Sequence, residues 1–437
     1  MDTVYDVIVV GAGFAGLTAA RELAHAGRRV AIVEGRDRIG GRTWLAPRLG
    51  LDLELGGTWV HWTQPYVWAE LHRYGIGLAP SPIPQRAFWW NGREVVHGEP
   101  DELLELLDRP NELLTLQSRD VFPQPFAPLA STTAVDLDEE TLAAHIAELP
   151  ITAEQRSLLE SFWTLNFNGR IADAAFTQAL RWVALTNGDW KVNFEACATY
   201  KITGGTKALA NAIAEDADVD VFLNTDVRGI RSEDAGAVVT DATGREFRAA
   251  QVVLTVPLHA LHRIDVSPAV PAARAQAVAR GQLGVGAKVW FTVAGELPHF
   301  VALGAAEWPL NFFQSEYHHD GKTYVIGFGP DAHAIHPTDR AAVQHAVRRL
   351  LPGVTVLEAT GHSWVDDEFA GETWPMHRTG YLTESLAALQ QPLGRIHFAG
   401  SDIADGWGGF IDGAIESGMT AARRILSGIP EPVAATA

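Results

Sequence analysis

The chain has 437 residues, 47% apolar and 20% charged, with 53 acidic against 34 basic side chains and a formal net charge of −19. This is a folded composition, long enough for two or three domains, and it speaks against a disordered chain and against nucleic acid or anionic lipid as main partners. Cys197 is the single cysteine, which leaves no intrachain disulfide and no cysteine-based metal site. No apolar run reaches the ~20 residues of a membrane span, so no membrane association is expected.

Tyr5-Asp-Val-Ile-Val-Val10 reads as a buried parallel strand, without a basic leader before it, so a cytoplasmic location is expected. Gly11-Ala-Gly13-Phe14-Ala15-Gly16 follows, then a helix over 17–26 closed by Gly27 and a second strand over 29–33 that ends on Glu34. This is the pattern of a dinucleotide site. Gly11 permits the tight turn, Gly13 lets backbone approach a diphosphate, Gly16 lets helix pack on strand, and Glu34 stands at the ribose-binding position. Its negative charge disfavours a 2′-phosphate. Gly35 and Arg36 continue the strand end, and Gly40-Gly41-Arg42-Thr43 adds a second backbone approach with a cation for the same diphosphate. Gly56-Gly57-Thr58-Trp59 supplies a further glycine doublet.

Residues 81–130 read as Pro-rich and irregular, with one acidic helix around 101–107. Helices are expected over 152–187 and 207–217, and strands over 220–223, 236–240 and 250–256, the last stopped by Pro257. These return the chain to the nucleotide domain. A mixed layer is expected over 269–387, with strands at 288–293 and 323–327 and a helix at 338–351. The strand at 393–399 re-enters the nucleotide domain, a last helix starts near Phe410, and 430–437 reads as a frayed tail. His318 and His319 read as an exposed turn, His61 as a cavity-lining residue and Cys197 as a small buried hydrophobe. No histidine spacing suggests a metal site.

Taken together, GAGFAG, GGRT, GGTWVH and the segment from Ile396 to Gly418 resemble the flavin-containing amine oxidase family of the monoamine oxidase type. His61 to Gly75, Val121-Phe-Pro-Gln-Pro and Tyr200 to Thr206 resemble its bacterial nicotine and 6-hydroxynicotine oxidase branch. The resemblance implies an α/β fold, in which a Rossmann-like FAD-binding domain (GR2 type) is built from 1–78, 200–268 and 388–437. A discontinuous mixed α+β substrate domain would come from 79–199 and 269–387.

The resemblance also implies FAD as cofactor, with Val227 against the adenine, Trp364 as support, and Gly400, Ser401, Phe410 and Ile411 at the flavin. Trp374 and Phe410 would form the aromatic cage for the amine, in place of the family's usual tyrosine pair and without the asparagine expected at 410 in the nicotine branch. The family sets the equivalent of Lys288 beside flavin N5 through a water, where it assists reoxidation. Thr373 stands where covalent relatives carry cysteine, which implies non-covalent FAD. The implied reaction oxidises the C–N bond of a small, largely apolar primary or secondary amine, nicotine-like cyclic amines included, by hydride transfer. An imine, then an aldehyde or ketone, would result, with dioxygen as acceptor giving hydrogen peroxide. An L-amino-acid or polyamine oxidase, for which Arg170, Arg181, Asp189 and Glu195 are available, and a flavin-binding protein without turnover stay open at this point. So does a homodimer.

Overall fold

The computed structural model describes residues 4–428; the tail expected at 430–437 lies outside them. Strand Val4–Val10 pairs in parallel with Val30–Val33, Val7 to Val10 facing Val30 to Val33. Val7 and Val9 pack with apolar residues of helices Phe14–His25, Thr206–Ala217 and Ile411–Ser427. Ile8 and Val10 pack on the opposite side, with Ile230, Val239 and Phe247. Burial of both faces is why this strand carries Val and Ile without polar alternation.

Among the described residues the sheet has eight strands, ordered 265–267, 227–233, 236–241, 246–254, 4–10, 30–33 and 220–222, with 396–398 beside the far half of 246–254. Segments from the beginning, middle and end of the chain thus share one sheet. Mixed α/β architecture is what the motifs implied.

A second sheet has seven strands, ordered 356–361, 287–294, 322–329, 312–319, 300–303, 86–90 and 95–98. Its pleat separates two cores. Trp290, Phe312, Ile326 and Phe328 pack with helices Ala153–Phe167 and Phe176–Leu185, whereas Val289, Phe291, Phe313 and Val325 pack with helix Arg340–Arg348. The expectation of an irregular 81–130 is corrected here. Arg86–Trp90 and Val95–Gly98 are strands of this sheet, and the acidic helix is the longer Pro100–Thr115. The strand signal was missed because Arg86–Trp90 is held by parallel pairing to Phe300–Leu303, more than 200 residues away. The helix runs past the expected end because its start is fixed by a capping box between Glu99 and Glu102 and its apolar face is buried at Leu103, Leu107 and Leu114.

Among the described residues no helix is long and apolar enough to cross a membrane. None of their His, Cys, Asp and Glu groupings could hold a metal ion.

Candidate active site

A cavity enclosing about 2020 Å³ of unfilled space, its mouth included, begins at the carboxyl ends of strands Val4–Val10 and Val30–Val33 and reaches the inner face of the second sheet. That is where ligands of open α/β sheets bind. Gly11, Gly13, Phe14 and Ala15 border it at the first turn, Glu34, Gly35 and Arg36 at the second, and Gly40, Gly41 and Arg42 at the third. Gly56, Gly57, Thr58, Trp59, Val227, Trp364, Gly400, Ser401 and Ile411 also border it.

Gly16 stands back from the wall. A Cβ there would lie 2.0 Å from the carbonyl oxygen of Gly11, so its role is the seating of helix on strand. At the cavity itself, a Cβ on Gly41 would lie 3.1 Å from the Cα of Gly13, so a side chain there would push the first turn aside. The helix starts at Phe14, three residues before the sequence suggests, which brings its free N–H groups to the wall. Glu34 is buried, and its carboxylate accepts hydrogen bonds from the N–H of Ala12 at 2.7 Å and of Arg36 at 2.8 Å, tying the first two turns together.

Arg42 is not a free cation. Its guanidinium donates to Glu372 Oε1 at 2.8 Å, to the Thr373 carbonyl at 3.0 Å, to Ser401 Oγ at 3.0 Å and to Asp402. Burial, reinforced by the charge of Asp402, lifts the Glu372 carboxyl well above the ordinary range. Burial works the same way on Asp402, but the charge of Arg42 together with hydrogen bonds from Arg42, Glu372 and the Leu258 N–H outweighs it and draws that carboxyl down to about 2. Gln282 completes the arrangement: its amide donates to Glu372 Oε2 at 2.9 Å and accepts from the N–H groups of Gly284 at 2.6 Å and Met376 at 2.7 Å. The segment carrying Trp374 is clamped on both sides.

Trp374 and Phe410 border the same cavity. The Trp374 indole donates to the carbonyl of Asn166 at 3.0 Å and meets Phe328 edge-on at 6.2 Å. Phe410 is the N-cap residue of helix Ile411–Ser427 and packs edge-on against Trp182 and Trp407, with centroids at 5.1 and 5.0 Å. Lys288 lies in strand Ala287–Ala294, with its Nζ donating to the Gly56 carbonyl at 2.6 Å and to Thr58 Oγ1 at 2.7 Å. The rings of Trp59 and Phe328 lie 5.5 and 5.9 Å from that nitrogen. Burial pushes the ammonium down to about 7, against the opposing pull of Glu54 and Glu316. Trp364 is fixed by its indole donating to the Leu55 carbonyl at 2.9 Å.

The rest of the wall was not nominated from sequence. It comes from Leu165, Asn166, Trp182 and Phe194 on helices, and from Phe312, Gln314 and Phe328 on the second sheet. An apolar wall has the same periodicity as a packed core, so only the polar Asn166 and Gln314, each among apolar neighbours on its element, carried a readable signal.

Three expectations need correction. His61 does not border the cavity: it is fully buried, lies against Trp62 with the rings tilted and their centroids 3.8 Å apart, and pairs through Nδ1 with Thr63 Oγ1 at 2.8 Å. Cys197 is only half-buried and borders the cavity, its thiol pushed up to about 12 by burial. Arg170, Arg181, Asp189 and Glu195 all lie off the wall; Arg181 donates to the carbonyls of Ala404 and Asp405, and Asp189 caps helix Trp190–Ala198. His318 and His319 are exposed, as expected, at the end of strand Phe312–His319.

The chain is similar in sequence and fold to known proteins. The family described as flavin containing amine oxidoreductase matches residues 14–426. Pseudooxynicotine dehydrogenase of Pseudomonas sp is 34% identical over 97% of this chain and 86% of its own length. (S)-6-hydroxynicotine oxidase of Paenarthrobacter nicotinovorans is 31% identical over 97% of this chain and 99% of its own. A redesigned putrescine oxidase superposes with a TM-score of 0.85 at 25% identity, covering 97% of this chain and 99% of that one.

Proposed function

The chain belongs to the flavin-containing amine oxidoreductase family, and from that premise we propose that it oxidises the C–N bond of a small, largely apolar primary or secondary amine, cyclic nicotine-like amines included, with non-covalent FAD and with dioxygen as acceptor. The observation that carries this reading is the single cavity that joins the glycine turns and Glu34 to a slot of aromatic side chains beside Lys288. The residues present suit FAD. The close approach of Gly13 and Gly41 leaves bare backbone for a diphosphate, the start of helix Phe14–His25 faces the same space, and Glu34 offers a carboxylate where a ribose would lie. Thr373 on the wall offers no thiol for attachment. When bound, FAD would take a hydride from the carbon next to nitrogen.

The chain's own part is to orient and to exclude water. Trp374 and Phe410 present ring faces and edges to an amine, which suits a centre that gains positive character. Lys288 gives or takes a proton at Nζ near neutral pH and stays anchored on Gly56 and Thr58. Residues 1–78, 200–268 and 388–437 would serve the cofactor, and 79–199 and 269–387 the amine, in keeping with the two sheets.

The amino-acid oxidase reading is disfavoured. The arginines on the wall are already engaged: Arg36 with Asp367, Arg42 with Glu372 and Asp402, Arg263 with Asp226 and Glu368. A substrate carboxylate would meet no uncommitted guanidinium among them. A polyamine oxidase would need wall carboxylates in the aromatic part, and those present, Glu34 and Asp226, lie among the nucleotide-end residues. Anaerobic mixing with an amine panel tests the proposal. Bleaching of the visible flavin absorption by apolar amines is the expected result, and an unchanged spectrum with every amine class would leave only a flavin-binding protein.

A further inference from the structure

We propose that Gln314 is the specificity residue at the end of the slot remote from Lys288, and that it selects amines carrying a neutral hydrogen-bond donor, a hydroxyl or lactam N–H on a flat ring, at their far end. This rests on the amine-oxidation reading for the identity of the reacting end, and on geometry for the rest.

Across the second sheet, Lys288 stands opposite Phe328 and Phe328 opposite Phe312; in the next row, Trp290 stands opposite Ile326 and Ile326 opposite Gln314. Gln314 is therefore on the same face as Phe312 and about 7 Å farther along the strand, two residues at the ordinary rise. It borders the cavity and is 8% exposed. Its orientation is decided by its neighbour. Nε2 donates to Glu316 Oε1 at 2.8 Å, and a carboxylate accepts only from the N–H side of an amide. Glu316 is itself held in place: its other oxygen accepts from Lys201 Nζ and from Ser81 Oγ at 3.3 Å, and Lys201 also donates to Tyr317 Oη at 3.1 Å. The amide cannot turn over without leaving a buried carboxylate oxygen short of a donor.

Gln314 Oε1 is thus left as an acceptor on its strand beside Phe312, on a wall that also carries Phe328, Trp374 and Phe194 and, on other elements, Asn166 and Asn168. An apolar amine would desolvate it without return, whereas a donor at that end would satisfy it. The rings on the wall suit a flat aromatic body. The ion pair of Glu316 with Lys201 offsets the charge behind the amide, which favours a neutral donor over a second ammonium.

The test uses the FAD-loaded enzyme and three amines, 4-hydroxyphenethylamine, phenethylamine and butane-1,4-diamine. Anaerobic stopped-flow gives the dissociation constant and limiting rate of flavin reduction for each, and perturbation of the flavin spectrum gives binding without reduction. Wild type is expected to bind the hydroxy amine about tenfold tighter than phenethylamine, the upper worth of one neutral hydrogen bond, with similar limiting rates. Gln314→Leu should lose that preference and keep phenethylamine binding. Equal binding of the two aryl amines by wild type, a preference that survives in Gln314→Leu, or tightest binding of the diamine would each overturn the assignment. Tighter binding of the hydroxy amine without bleaching by any amine would instead remove the oxidation reading and leave Gln314 as a recognition residue.

Discussion

Lys288 shows how one side chain can be read from sequence and still need the fold to be understood. A lysine in an apolar strand is costly to bury, and that conflict marked it. What the fold adds is the pair of oxygens at 2.6 and 2.7 Å that hold its nitrogen and the burial that draws its ionisation down to about 7. The unfolded chain keeps that proton up to about 10.4. Between these values the unfolded state binds more protons, so the lysine's penalty fades and stability rises as pH increases from about 7 towards 10. Lys288→Met should melt higher than wild type at pH 7, with the difference closing towards pH 10, as read by thermal denaturation of the flavin-free proteins. Parallel curves at all pH values would show that the lysine is not desolvated as described. Gln314 carries the same kind of signal, a polar residue among apolar ones, but its meaning depends on Glu316 and Lys201 and so was not legible. Trp374 and Phe410 were legible only through resemblance, since an aromatic in a cavity wall and one in a core follow the same sequence pattern.

At the level of elements, the strand–turn–helix at the start of the chain was legible because its constraints are local: glycine where backbone must pass close, apolar runs where both faces are covered. Gly16→Ala tests this. Its Cβ would sit 2.0 Å from the Gly11 carbonyl, so the turn must shift; the variant should keep its far-ultraviolet circular dichroism yet bind FAD at least tenfold more weakly, measured by titration of the flavin-free protein. The end of the chain is tied to this unit in a way no motif announced. Asp412, in the first turn of helix Ile411–Ser427, accepts from the N–H groups of Tyr66 and Val67 at 2.7 and 2.8 Å, at the start of helix Pro65–Arg73. Burial raises its carboxyl to about 7. The folded protein therefore holds this proton after the unfolded chain has lost it, and stability falls as pH rises from about 4 through 7. Asp412→Asn keeps the acceptor and removes the titration, so its melting temperature should fall less over that range. Glu416, also raised to about 7 by burial, leaves a residual slope.

For the whole molecule, the two ends of one cavity come from segments hundreds of residues apart, and the proposed non-covalent binding of FAD has a direct consequence. Acid precipitation of the yellow protein should release all its flavin as FAD into the supernatant; colour retained in the pellet would contradict it. The sequence by itself determined the dinucleotide turn, the family and the α/β class, because these rest on backbone conformation and on burial patterns within short stretches. Tertiary structure alone decided that 81–130 contributes strands, that Arg42 is spent on Glu372 and Asp402, that Cys197 faces the cavity and His61 does not, and which way Gln314 points. Each of those depends on a partner distant in the chain, and the energy of a buried polar group is set by the neighbours it meets only after folding.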